Sequence, residues 1–178
     1  MGTGELQTVA SLPRLGVDEL HLLRGLLTFP AESTLDLVRD LSAVWPWLGD
    51  AVRELDTLGL DDWRAEYRRL FFHGAAPALC PPFASAYAGG GDEPAWGMAS
   101  LHMRAELPLS NLPPDYLGAE LNLLAELLES EHDLGPELLQ EAWRHMQGWV
   151  PAFADCLVRH AGLHLYRGIG QRLDQLFA

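Results

Sequence analysis

Glu120 sits inside a leucine stripe, and a carboxylate in that setting needs a partner. At about 100° per residue, Leu117, Leu121, Leu124, Leu127 and Leu128 form one helix face, and Glu120 falls within the same arc, between Leu127 and Leu124. Burying it alone costs several kcal/mol, so it must accept hydrogen bonds, hold a proton or line an open groove. Tyr116, one turn earlier, and Arg68 or Arg69 are the candidate donors; at an open groove the same group would meet a ligand. Asp115 follows Pro114 in what the spacing predicts to be the first helical turn, where free backbone N–H groups favour an acid. If the groove takes a basic peptide, Asp115 would also face an arginine on it.

The other reactive residues assemble into less. His160 and His164 are four apart, but Gly162 interrupts them and His160 shares a face with Phe153 and Leu157, so a metal pair is not expected. Glu131, His132 and Asp133 are adjacent, and adjacent residues on a helix diverge, so they read as a helix end. Ser85 has no histidine or acid at motif spacing, and Cys80 carries no nucleophile signature. The 12 basic residues are all arginine, which removes Schiff-base chemistry and the lysine of a phosphate loop. Gly89, Gly90 and Gly91 are then a loop tip. No catalytic residue, metal or cofactor is expected; the enzymatic alternative is a site assembled from Glu120 with His132, His145 or His160.

Charge narrows the partners. With 25 acidic residues against 12 basic, the formal charge of −13 opposes nucleic acid and anionic lipid and attracts a cationic peptide. The 178 residues, 48% of them hydrophobic, suffice for one domain spanning 1–178. Cys80 and Cys156 lie far apart in no metal or redox spacing, which predicts a reducing compartment and no disulfide. The first residues lack the basic and apolar regions of a secretory signal, so a cytoplasmic protein is expected. Leu70 to Gly91 is uncharged yet broken by Pro77, Pro81, Pro82 and four glycines, which excludes a membrane helix and predicts a mobile loop near 74–93.

The elements that must position these groups are all helical, because apolar residues recur at helical spacing and no segment alternates. Nine helices are predicted: Val17 to Leu27, Thr34 to Val44 capped by Ser33, Trp47 to Thr57, Asp62 to Phe72 capped by Asp61, Pro94 to Glu106, Pro114 to Ser130, Pro136 to Gln147, Pro151 to Ala161, and His164 to Phe177. Pro94, Pro114, Pro136 and Pro151 suit the first turn, where a missing donor costs nothing. Trp63, Tyr67, Leu70 and Phe71 share one arc of the fourth helix while Phe72 points away, so that helix is either central or flanked by an apolar patch for a partner. Two stiff proline pairs, Pro81-Pro82 and Pro113-Pro114, stand beside these helices and could frame a groove.

Four motifs in order carry a resemblance: Tyr67-x-x-Leu70-Phe71, Pro81-Pro82-Phe83-x-Ser85-x-Tyr87, Pro113-Pro114-Asp115, and Glu120-Leu121. Together they resemble the TorD/DmsD/NarJ family of cytoplasmic chaperones for molybdenum-cofactor oxidoreductases, and Trp149-Val150-Pro151-x-Phe153 extends the likeness. The resemblance implies a non-enzymatic, single-domain helical bundle, monomeric or a helix-swapped dimer. It would bind the twin-arginine leader of an apo-molybdoenzyme catalytic subunit and hold that subunit until its cofactor is loaded. Asp115 and Glu120 would meet the arginines, while Tyr67, Leu70, Phe71, Phe83, Tyr87 and Tyr116 supply apolar contact. The family usually has histidine where this chain has Tyr116, and tyrosine or tryptophan where it has Phe83, so a role for imidazole does not carry over. A structural adaptor without leader binding is the non-enzymatic alternative.

Overall fold

Nine α-helices form among the residues that the computed structural model describes, 16–72, 74, 76–108, 111–130 and 135–178. They are α1 Val17–Leu26, α2 Glu32–Leu41, α3 Gly49–Leu58, α4 Leu60–Phe71, α5 Glu93–Arg104, α6 Leu117–Glu129, α7 Gly135–Gln147, α8 Val150–His160 and α9 His164–Phe177, with 3₁₀ turns at Pro46–Leu48 and Ala84–Ala86. The all-α expectation holds. Glu131, His132 and Asp133 and the N-terminal residues lie outside the described set. None of the described helices is long and apolar enough to cross a membrane.

Several helix starts differ from their sequence signals. Pro94, Pro136 and Pro151 do fall in first turns, but Pro114 does not, because α6 begins three residues later at Leu117. The cap of α2 is Ala31, whose N–H donates to Thr34 Oγ1 at 3.1 Å, so Ser33 has no capping part. Nor does Asp61 cap α4: Gly59, at a φ of 86° that disfavours other residues, ends α3 and starts α4 at once. Trp47 stands in the 3₁₀ turn before α3 rather than opening it.

The core is organised around α6, which is apolar on nearly every side and must therefore be enclosed. Its residues from Leu117 to Leu127 are buried apart from Asn122 and Glu126. The α4 arc of Trp63, Tyr67, Leu70 and Phe71 is buried as well, whereas Phe72 is 59% exposed. Central burial of the helix thus coexists with an exposed aromatic just past its C-terminal end. Trp63 Nε1 donates to Tyr166 Oη at 2.8 Å, and Trp143 stacks on Phe177 with centroids 4.5 Å apart. An almost fully buried Glu19 accepts from Arg172 and fastens α1 to α9.

One expectation is overturned outright. Cys80 and Cys156 are joined in a disulfide, with Cα atoms 5.8 Å apart, within the span that such a bond requires. Spacing along the chain did not reveal it, because the segment after α4 folds back onto α8 and makes neighbours of residues 76 apart. Cysteine usage therefore gives no support to a reducing compartment.

Candidate functional site

The two proline pairs meet. Leu117 N–H donates to the Pro82 carbonyl at 2.9 Å and Ala84 N–H donates to the Asp115 carbonyl at 3.0 Å, closing an isolated antiparallel bridge between Phe83 and Tyr116. Prolines have no N–H to give, so the bridge uses the Pro82 carbonyl and donors that lie just beyond the proline pairs. The Phe83 and Tyr116 rings lie 5.6 Å apart. This pairing also explains the late start of α6, since the backbone of Asp115 is committed to the other turn.

Asp115 is 4% exposed. Its carboxylate accepts the Ser85 N–H at 3.2 Å, so it caps the Ala84–Ala86 turn, the role expected of it at α6. Beside it opens a cavity of about 440 Å³ lined by Pro81, Phe83, Ser85 and Asp115, and by Asp92 and Ala95 at the start of α5. Asp92 is exposed and makes no side-chain cap to α5, which leaves its carboxylate uncommitted to the helix. The arrangement is an acid-lined recess between two stiff turns, suited to a cationic group. Along α5, Trp96 and Met103 are 73% and 67% exposed and two turns apart, so they share a face running from the recess for about 10 Å.

Tyr67 and Tyr116 converge on one acceptor. Their hydroxyls donate to the Leu27 carbonyl at 2.9 and 3.0 Å. Leu27 ends α1, where carbonyls lack helical donors, so each tyrosine ties that end to a different element. Burial pushes both phenols up. Because one donor suffices, Tyr67→Phe or Tyr116→Phe alone should cost about 0.5 kcal/mol, and the pair together roughly 1.5 kcal/mol, more than the sum. Urea unfolding of the two single variants and the double variant checks this; strict additivity would show that the carbonyl is not shared.

Glu120 is fully buried. Its carboxylate meets His145 Nε2 and accepts from Trp149 Nε1, both at 3.0 Å, and burial pushes it up to about 7. Its partners are therefore neither Tyr116 nor Arg68 or Arg69. Arg69 pairs with Glu66 and donates to the His160 carbonyl at 2.6 Å, while Arg68 lies over the Phe29 ring. Trp149 in turn stacks on half-buried Tyr87, centroids 5.8 Å apart, which links the buried acid to the turn bearing Ser85.

The sequence-derived residues thus divide into two groups. Pro81, Pro82, Phe83, Ser85, Tyr87, Pro113, Pro114, Asp115 and Tyr116 gather at the paired turns. Tyr67, Leu70, Phe71 and Glu120 lie in the core beneath them, where in this conformation they position the turns and offer a peptide almost no surface. Asp92, Trp96 and Trp149's partnership with Glu120 were missed. A buried indole needs an acceptor and a buried carboxylate needs a donor, a match that could have paired the last two.

Residues 35–155 match the family described as nitrate reductase delta subunit, a span that contains every motif above. No curated protein matches the chain significantly. Among solved structures, a crystal structure from Archaeoglobus fulgidus, described as a redox enzyme maturation protein, superimposes with a TM-score of 0.66 at 21% identity, covering 93% of this chain and 96% of the other. Helical architecture and family match agree, and the chain belongs to the nitrate reductase delta subunit family of NarJ and TorD-like chaperones.

Proposed function

We propose that this protein is a cytoplasmic maturation chaperone that captures the twin-arginine leader of a redox enzyme's catalytic subunit, holding the apo-subunit while its molybdenum cofactor is inserted. The observation that carries the reading is the recess where the proline pairs meet, with Asp92 and Asp115 on its lining and the exposed Trp96 and Met103 stripe beside it. A leader joins an arginine pair to an apolar helix. The arginines fit the acids as charge-assisted partners, and the apolar helix fits the α5 stripe. A formal charge of −13 steers such a peptide inward.

Glu120 and His145 are close enough to exchange a proton, but Glu120 is 0% exposed. Of that pair only the His145 ring, 24% exposed, reaches solvent, so the carboxylate is out of a substrate's reach and the geometry favours binding over acid-base catalysis. In titrations with a synthetic leader at low ionic strength, Asp92→Asn and Trp96→Ala should each weaken binding roughly tenfold. Asp40→Asn, an equal charge change on the exposed side of α2, should leave it unchanged. Equal losses from Asp92→Asn and Asp40→Asn would reduce the recess to one part of a general negative field.

A further inference from the structure

We infer that the Cys80–Cys156 disulfide is a thiol-exchange site that latches the Pro81-Pro82 turn in place. Cys80 is fully buried and immediately precedes the turn, whereas Cys156 is a half-buried residue on α8. Without the covalent bond, the backbone contacts that tie the chain entering the turn to the end of α4 are, among the described residues, Cys80 N–H to the Leu70 carbonyl at 2.8 Å and a long one of 3.4 Å from Leu79 N–H to the Arg69 carbonyl. Before them, the segment borders a cavity of about 420 Å³ lined by Phe72, Pro77 and Leu79, and Phe72 and Leu79 are largely exposed. There is room for this segment to move. The disulfide closes a loop of 76 residues and is the only covalent tie between the turn and α8.

The reduced state is also accommodated. Cys156 Sγ lies 3.2 Å from the Leu79 carbonyl, which would accept from the freed thiol. In the exchange, an external thiolate attacks the accessible Cys156 sulfur, forming a mixed disulfide as Cys80 departs as a thiolate and takes up a proton. The second thiol of the same dithiol then attacks the external sulfur and releases Cys156. The dithiol is oxidised to its disulfide and the protein cystine is reduced by two electrons and two protons. The co-reactant class is a small dithiol or a protein with a paired-cysteine centre. Since Pro81 and Phe83 line the acidic recess, releasing the latch loosens that recess; this consequence alone rests on the leader-binding reading.

The test treats the full chain with oxidised or reduced dithiothreitol. Thiols are counted by alkylation under denaturing conditions, and amide exchange is followed over residues 76–88. Two thiols should react after reduction and none after oxidation, and exchange across 76–88 should be about tenfold faster in the reduced protein, with α9 unaffected. Cys156→Ser, which keeps a donor for the Leu79 carbonyl, should exchange like the reduced protein under both conditions. Free thiols persisting after oxidation, or identical exchange in the two states, would overturn the proposal. A synthetic leader should bind at least threefold more weakly to the reduced protein; equal binding would overturn the link to the recess. Failure to bind in either state would sink the leader reading, with the latch still judged by exchange.

Discussion

Replacing Glu120 by Gln is expected to stabilise the protein by roughly 3 kcal/mol at pH 8 and to change little at pH 4. Burial raises the Glu120 carboxyl from its ordinary 4.5 to about 7, against the opposing effect of His145 and Trp149. A carboxyl raised by folding favours the folded state in its protonated form. That contribution is fully present below the unfolded value and is lost as pH rises through about 7. Above neutrality the fold confines an ionised carboxylate in the core. Glutamine reproduces the protonated shape: its oxygen accepts from Trp149 Nε1–H and its amide donates toward His145. Urea unfolding between pH 4 and pH 8 should show the native protein losing stability relative to the variant from about pH 4.5 to about pH 7, with little further loss above. Parallel curves for the two would mean that Glu120 does not titrate where its burial places it.

The charge of Asp115 also raises Glu120, so recess and buried acid share one electrostatic field. Trp149 and Tyr87 bridge them sterically, through a stacked pair that spans from the partner of Glu120 to the turn carrying Ser85.

What could be read from the sequence was whatever depended on neighbours a few residues away. Apolar spacing located the nine helices, and the proline-first rule placed the starts of α5, α7 and α8, because each depends on its own first turn. The same rule failed at Pro114. There the backbone of Asp115 and Leu117 is recruited by Pro82 and Ala84, a pairing between segments about thirty residues apart that no local preference encodes. Glu120 illustrates the same boundary: its position in a leucine stripe announced a buried acid with a partner, but the partners stand 25 and 29 residues further along. Cys80 and Cys156 were invisible as a pair for the same reason. The recess itself was half legible. Asp115, Ser85 and Phe83 stood in motifs, whereas Asp92 and Trp96 joined them only through the way α5 packs against the Ala84–Ala86 turn.

Gly170→Ala should destabilise the protein by about 2–3 kcal/mol, although alanine is the better helix former by about 1 kcal/mol. Gly170 lies on α9 where it packs against α8. A Cβ built there would sit 2.8 Å from the Ala154 carbonyl oxygen, 2.9 Å from Leu157 Cβ and 3.1 Å from Val158 Cγ2. Two of these three neighbours are a backbone atom and a Cβ, which no rotamer change can move, so the helices must separate. Separation would open contacts around Phe153, Leu157 and Leu173, each fully buried, and would propagate to Tyr166 and its bond with Trp63. Gly97 on α5 provides the opposite case, since a Cβ there meets nothing within 4 Å. Gly97→Ala should therefore gain about 0.5–1 kcal/mol from propensity alone. Unfolding free energies from urea titrations should place the two substitutions on opposite sides of the native protein. If Gly170→Ala proved as stable as Gly97→Ala, the α8–α9 contact would have to be looser than these distances require, and the platform carrying Cys156 and Trp149 with it.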